Sequence, residues 1–280
     1  MSVIKIVTDS SAYLSPSVVR QYGIEVIPLR VTLDGRTYQE GIDLSPEQFF
    51  QQLERSEQMP TVTAPPVQVI ANTYQRLARE TDRIISIHVS RRLSDMHDRA
   101  LQASRTMLGR TQIQVIDSQT ISVGLGILAE AAAQAAQEGE TVDRIVRMIR
   151  GMIPHLYAVF FVEKLEYLER ARRIGKAQAI LGTMLEIKPM LMVEEGDLIP
   201  LEKVRTREQI VDKLHEFIAE FTRIEQLAIL QRDFTEETTA LLERLEMMFP
   251  NREFPVYTYG PSLGVHLGPR AIGVVVYEGL

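Results

Sequence analysis

His266 stands in the run Gly260-Pro261-Ser262-Leu263-Gly264-Val265-His266-Leu267-Gly268-Pro269-Arg270-Ala271-Ile272-Gly273. Glycine permits close backbone approach to a ligand, and proline fixes the path of the chain. The run therefore reads as a turn between two strands, not as the middle of a helix. Its one imidazole either binds a ligand or caps a backbone carbonyl. Four polar loops could share a site with it: Thr8-Asp9-Ser10-Ser11, Thr61-Val62-Thr63-Ala64, Ser90-Arg91-Arg92-Leu93-Ser94 and Asp117-Ser118. Three are rich in hydroxyls and precede helices. Hydroxyls and free N–H groups at helix N-termini cradle an oxyanion such as a carboxylate or phosphate, although N-capping uses the same residue types.

A Ser-His-Asp hydrolase or acyltransferase would take Ser90 or Ser94, His266, and Asp9 or Asp117. Against it, there is no Gly-x-Ser-x-Gly elbow, and two arginines follow Ser90. Neither a Walker loop nor a Gly-x-Gly-x-x-Gly follows the first strand, so the chain is expected to have no nucleotide site of its own. His88, His97, His155 and His215 lack zinc spacing and read as surface or packing residues. Two basic segments are set apart: Arg170 to Lys176 near a helix end, and Lys203-Val204-Arg205-Thr206-Arg207 ahead of a helix. Either could meet an anionic group on a ligand or partner.

The elements that must position these groups alternate strand and helix in the first half. Val3 to Val7 is a strand, Ser15-Pro16 opens a helix, and Ile24 to Thr32 is one extended run. Asp34-Gly35 signals a hairpin, and Ser45-Pro46-Glu47-Gln48 has capping-box spacing ahead of a helix to about Arg55. Thr61 to Pro66 reads as a loop. Ile84 to Val89 and Ile113 to Ile116 read as buried parallel strands, and Gln119 to Gln137 as a long Ala-rich helix. After Pro154-His155 strands dominate: Tyr157–Val162, Pro189–Val193, Gln226–Leu230, Phe254–Tyr257 and Ile272–Tyr277. Helices are expected at Lys164–Arg172, Lys176–Glu186, Glu208–Phe221 and Glu236–Met248, with a turn at Glu194 to Asp197. The expectation is α/β with two domains: residues 1–154 around a parallel sheet, and 155–280 an α+β unit with a mixed or antiparallel sheet.

The formal charge of −6 disfavours a general nucleic-acid binder, and the absence of cysteine excludes disulfides and Cys-ligated zinc. The N-terminus does not read as a signal peptide, and no uncharged apolar run approaches membrane-spanning length. A cytoplasmic protein is expected.

Taken together these segments resemble the DegV family of bacterial fatty-acid-binding proteins, across essentially the whole chain. The landmarks are Val7 to Ser11, Tyr38-Gln39-Glu40-Gly41-Ile42-Asp43-Leu44-Ser45, Pro60 to Pro65, Val89 to Ser94, Val115 to Ser118, Leu165-Glu166-Tyr167-Leu168…Arg173-Ile174, Ile187 to Leu191, Val204-Arg205-Thr206 and Gly264 to Gly273. The resemblance implies two α/β domains holding a long-chain fatty acid between them, with its carboxylate at the domain junction. It further implies presentation to a separate ATP-dependent fatty-acid kinase subunit, with the fatty acid as ligand and no other cofactor.

By position, the family's carboxylate-binding hydroxyls fall on Thr63 and Ser90, its histidine on His266, and a supporting arginine on Arg173. Val62, Arg91 and Arg270 stand where the family has Thr, Ser and Gly. Thr61 could then supply a hydroxyl, and Arg91 or Arg270 could pair with the carboxylate. Arg205 is the candidate for the partner-facing surface. An orphan small-molecule sensor of the same fold is the further alternative to a carrier. Met184-Leu185, Met190-Leu191-Met192 and Ile180-Leu181 are candidate tunnel walls that read equally as core.

Overall fold

The computed structural model describes residues 3–56, 58–107, 109, 111–163, 167 and 187–280. The expected helices at Lys164–Arg172 and Lys176–Glu186, and the candidate walls Ile180-Leu181 and Met184-Leu185, lie outside the described residues apart from Tyr167.

Strands β1 (Lys5–Asp9), β2 (Glu25–Ile27), β6 (Arg83–His88) and β7 (Gln112–Asp117) form a parallel sheet in the order β2-β1-β6-β7. Helices α1 (Pro16–Tyr22), α3 (Val67–Leu77), α4 (Met96–Arg105), α5 (Val123–Gln137) and α6 (Val142–Met152) accompany it. A small antiparallel sheet joins β3 (Arg30–Leu33) to β4 (Arg36–Gln39) and to β5 (Thr61–Thr63), with α2 (Pro46–Leu53) between β4 and β5 in the chain. The Asp34-Gly35 hairpin and the Ser45/Gln48 capping box form as expected.

Two expectations change here. The run Ile24–Thr32 is split near Pro28-Leu29 into β2 and β3, which join different sheets. Thr61–Thr63 is not loop but strand β5, because β3 offers it an open edge opposite β4.

The second half builds a six-stranded sheet in the order β10-β9-β8-β13-β11-β12 from β8 (Leu156–Val162), β9 (Lys188–Glu194), β10 (Asp197–Val204), β11 (Gln226–Arg232), β12 (Val256–Tyr257) and β13 (Ala271–Tyr277). All its pairings are antiparallel except β11 with β12. Helices α7 (Arg207–Ala219) and α8 (Thr235–Met248) belong to this half. Side chains alternate across it with the period of a strand. Val159, Phe161, Val274 and Val276 share a core with Ile210, Leu214 and Leu241 of α7 and α8. Phe160, Val162 and Val275 join the core of the parallel sheet instead.

Helix α5 lies between the two main sheets, packed on β1 and β6 and on β8 and β13. Its alanines and glycines leave it thin enough for that place, and a helix covered on most sides needs no polar face. It begins at Val123, four residues later than expected, after Ser122 at φ 64°.

The last correction concerns the Gly-Pro run. Pro261–Leu267 is helix α9, with Pro261 in the first turn and every residue buried. Proline at the first helical position costs no hydrogen bond, since that N–H has no partner within the helix. Among the described residues no helix is long and apolar enough to cross a membrane.

Candidate functional site

Helix α9 brings His266 to the small sheet. It packs against α2, β5 and the short 3₁₀ turn Ser10–Ala12, so it is seated on the first half of the chain. Gly264 meets the Phe50 ring there. Its two ends are held differently. At the first turn, Glu40 Oε1 accepts from the Ser262 N–H at 2.8 Å and the Tyr13 hydroxyl accepts from the Leu263 N–H at 3.3 Å. At the far end the Tyr259 hydroxyl donates to the Gly268 carbonyl at 2.9 Å, and Arg232 donates to the Pro269 carbonyl at 2.5 Å. The Arg232 guanidinium also lies over the Phe50 ring, 4.4 Å from its centroid. His266, 8% exposed, sits in the last turn of this doubly anchored helix.

Thr61 and Thr63 are exposed on β5, which α9 touches. The end of β5 is tied to the Ser90 loop, because Asp95 Oδ1 accepts from the Ala64 N–H at 2.9 Å and Arg99 binds both Asp95 and the Ala64 carbonyl. Ser90 in turn closes its own turn by accepting from the Leu93 and Ser94 N–H groups, and its N–H donates to the Thr120 carbonyl. The hydroxyl loops and α9 are thus one connected assembly, built from β5, the β6–α4 loop, the β7–α5 loop and the C-terminal run.

Ser90 is fully buried. Its hydroxyl donates to the Gly196 carbonyl at 2.6 Å and accepts from the Arg92 N–H at 3.1 Å. Gly196 lies in the β9–β10 turn at φ +82°, and a Cβ there would stand 2.3 Å from the Ser90 Oγ. The turn from the second half therefore docks on the Ser90 loop from above. Gly196→Ala is expected to lower stability by about 1–2 kcal/mol through the left-handed backbone and the Ser90 overlap. Urea unfolding checks this; a loss within a few tenths of a kcal/mol would refute the docked turn.

The Ser90 proton is aimed at a carbonyl, not at an imidazole, so the Ser90–His266 nucleophile pair is not formed. The third triad candidate is engaged elsewhere too. Asp9 accepts from Ser11 N–H at 3.2 Å, Ser11 Oγ at 2.5 Å, His88 Nδ1 at 3.0 Å and Val89 N–H at 3.0 Å. His88 Nε2 meets Ser86 Oγ at 2.8 Å, and Ser86 meets the Tyr74 hydroxyl at 2.9 Å. His88 is thus no surface residue but the middle of a buried polar chain. Asp9, Ser86, His88 and Tyr74 all have no exposed surface, which closes this Ser-His-Asp alignment to any substrate. Asp117 caps backbone instead, accepting from Arg91 and Gln119 N–H groups.

The candidate arginines face acids. Arg91 stands 3.7 Å from Asp98, and Arg270 binds Glu163 at 3.2 Å and Asp233 at 3.6 Å. Burial pushes the Glu163 carboxyl up, but Arg207 and Arg270 outweigh it and hold it below its usual range. A cavity of about 230 Å³ opens beside this pair, lined by Glu54, Glu163, Tyr167, Leu267, Pro269 and Arg270, immediately past His266 in the chain. Arg205 is exposed, with its N–H on Gln209 at 2.9 Å. Arg173 lies outside the described residues. Among the described residues no group of three or more metal-binding side chains gathers.

Glu40 and Tyr13 carry no motif for chemistry in the sequence, although Glu40 lies in the Tyr38–Ser45 stretch. A glutamate inside an otherwise short, turn-flanked stretch was the only signal.

The sequence and fold are shared with known proteins. A family model described as "Uncharacterised protein, DegV family COG1307" matches residues 3–279. A DegV domain-containing protein of Streptomyces coelicolor is 36% identical over 277 residues, covering 98% of each chain. The protein DegV of Bacillus subtilis is 30% identical over 275 residues, covering 97% of this chain and 98% of that one. Among solved structures, a DegV family protein of Thermus thermophilus described by its fatty acid binding aligns at TM-score 0.88 and 27% identity over 99% of this chain and 100% of that one. DegV of Bacillus subtilis, described as a fatty acid binding protein, aligns at TM-score 0.88 and 28% identity with the same coverage.

Proposed function

The chain belongs to the DegV family, and from that premise we propose that it encloses a long-chain fatty acid between residues 1–154 and 155–280, with the carboxylate at Thr63, Ser90 and His266. The observation that carries the reading is the tying of β5, the Ser90 loop and α9 into one assembly, with hydroxyls and an imidazole on elements from both halves. Family members solved with this fold are described as fatty acid binding. Thr61 would stand in for the hydroxyl that Val62 cannot supply, and Arg173 would support the head group.

The energetics suit an acyl chain. Each buried CH₂ contributes about 0.8 kcal/mol, so a long chain supplies on the order of 10 kcal/mol before the costs of association. Head-group selection then falls to the few polar groups, because a buried carboxylate without hydrogen bonds is strongly disfavoured. Ser90 would exchange its Gly196 acceptor for the carboxylate, so ligand binding would shift the β9–β10 turn. Arg91 and Arg270, both engaged with acids, support the head group less well than the hydroxyls do.

In the same reading the protein is a cytoplasmic carrier, not an enzyme, and a separate kinase subunit phosphorylates the presented carboxylate, with exposed Arg205 on the docking face. Organic-solvent extraction of purified protein followed by mass spectrometry is expected to return one fatty acid per chain. An empty extract together with no uptake of added fatty acid would overturn the carrier reading. Hydrolysis of acyl esters that disappears in Ser90→Ala would replace it with the hydrolase.

A further inference from the structure

We propose that Glu40 and Tyr13 are positioning residues for this site: they seat the first turn of α9 and thereby fix where His266, one turn further along, presents its ring. The proposal rests on the fatty-acid reading and adds the residues that aim its imidazole.

Three observations support it. First, the contacts are a closed network. Glu40 accepts from the Ser262 N–H through one oxygen and from the Ser10 hydroxyl, at 2.6 Å, through the other. Ser10 accepts from the Leu29 N–H at 3.0 Å, and the Tyr13 hydroxyl meets Ser262 Oγ at 2.9 Å while accepting from Leu263 N–H. Two consecutive free N–H groups of α9 are thus held by two side chains from the opposite end of the sequence.

Second, α9 is too short to set its own direction. Seven residues make barely two turns, and isolated helices of that length are unstable. Its orientation must come from what grips its ends.

Third, a carboxylate is a costly way to cap a helix here. Glu40 is 4% exposed, and burial, reinforced by the Asp9 charge, raises its carboxyl above the usual range although Ser10 and Ser262 oppose the shift. A neutral cap would satisfy the same N–H with less desolvation. Charge-assisted bonds are shorter and stronger than neutral ones, so the 2.6 and 2.8 Å contacts of Glu40 grip the first turn of α9 firmly.

The test is a double-mutant cycle on fatty-acid affinity, read by displacement of a fluorescent fatty acid from the full chain. Glu40→Ala is expected to weaken binding about ten-fold, the loss of one charge-assisted hydrogen bond's worth of alignment. In a His266→Ala background the same change should weaken it less than two-fold, because its effect passes through His266. Equal losses in both backgrounds would overturn the proposal, as would unchanged affinity in the single variant. Should Glu40→Ala not fold, Tyr13→Phe takes its place, with about a three-fold loss expected and the same cycle deciding.

Should the wild-type chain bind no fatty acid, the ligand reading fails by itself. The positioning claim is then decided by the ring ¹⁵N–¹H resonances of His266, which should move in Tyr13→Phe; unmoved resonances would sink it.

Discussion

Asp9→Ala is expected to cost about 3–5 kcal/mol and to abolish ligand binding together with it. The side chain has no exposed surface and accepts four hydrogen bonds, from Ser11 N–H, Ser11 Oγ, His88 Nδ1 and Val89 N–H. Removing it leaves those donors buried, and each unsatisfied group costs about 1–3 kcal/mol where water cannot replace the acceptor. Partial relaxation keeps the total below the sum. In a chain of this size a loss of that order lowers the melting temperature by on the order of 10 °C. The functional effect follows from Val89, whose N–H is fixed by Asp9 one residue before Ser90. Urea and thermal unfolding measure the first part, and fatty-acid titration of the surviving folded fraction measures the second. A loss under about 1 kcal/mol would mean the chain through His88 to Tyr74 holds without its anchor.

Gly273→Ala is expected to be damaging too, through a clash and not a lost bond. Strand β13 is central in the six-stranded sheet, hydrogen-bonded to β8 on one side and β11 on the other. A Cβ on Gly273 would stand 2.3 Å from the Val159 carbonyl oxygen and 2.3 Å from Phe160 Cδ1. The first of these is backbone in a paired neighbour, so it cannot step aside without breaking the ladder. Overpacking costs about 1–3 kcal/mol in general, and this site falls at or above the upper end because the backbone oxygen cannot yield. The expected result is a sharp fall in soluble yield and, in what remains, a lower urea midpoint. A variant with wild-type midpoint would show that β8 and β13 can separate locally, and would undo the account of the sheet centre.

Much of the architecture was legible because its signals are local. The Asp34-Gly35 hairpin, the Ser45/Gln48 capping box and, apart from β5 and the β2–β3 split, the main strands of both halves follow from turn chemistry and side-chain periodicity. Helix α9 was not, for a definite reason. All seven of its residues are buried, Ser262 and His266 included, and its Pro and Gly read as turn residues, so no solvent-facing stripe marks a helix. Its glycine, which reads as a turn residue, lies against the Phe50 ring, a contact no short-range pattern records. The same holds for the site. His266 and Ser90 stand out as residue types in unusual loops, whereas the pairing of Asp9 with His88 depends on which strands are neighbours. The role of Glu40 depends on a partner 222 positions away. Arg91 and Arg270 looked available from sequence because the pairings with Asp98, Glu163 and Asp233 are set by the fold and not by a short-range pattern.

The long reach of those contacts governs when the site can exist at all. Tyr13 waits for Ser262 across 249 positions, and Glu40 waits for it across 222. Strand β13, which follows at once, fills the gap between β8 and β11 in the middle of the six-stranded sheet. Contacts so distant in sequence are closed late, because the entropy of the intervening chain is lost before they form. During synthesis the parallel sheet can assemble while the chain is still growing, yet the grip on α9 and the seal at β13 wait for residues 261–277. In the proposed reading, ligand capture therefore waits for residues 261–277: a chain clipped before Pro261 has the hydroxyl loops without the helix that packs on them.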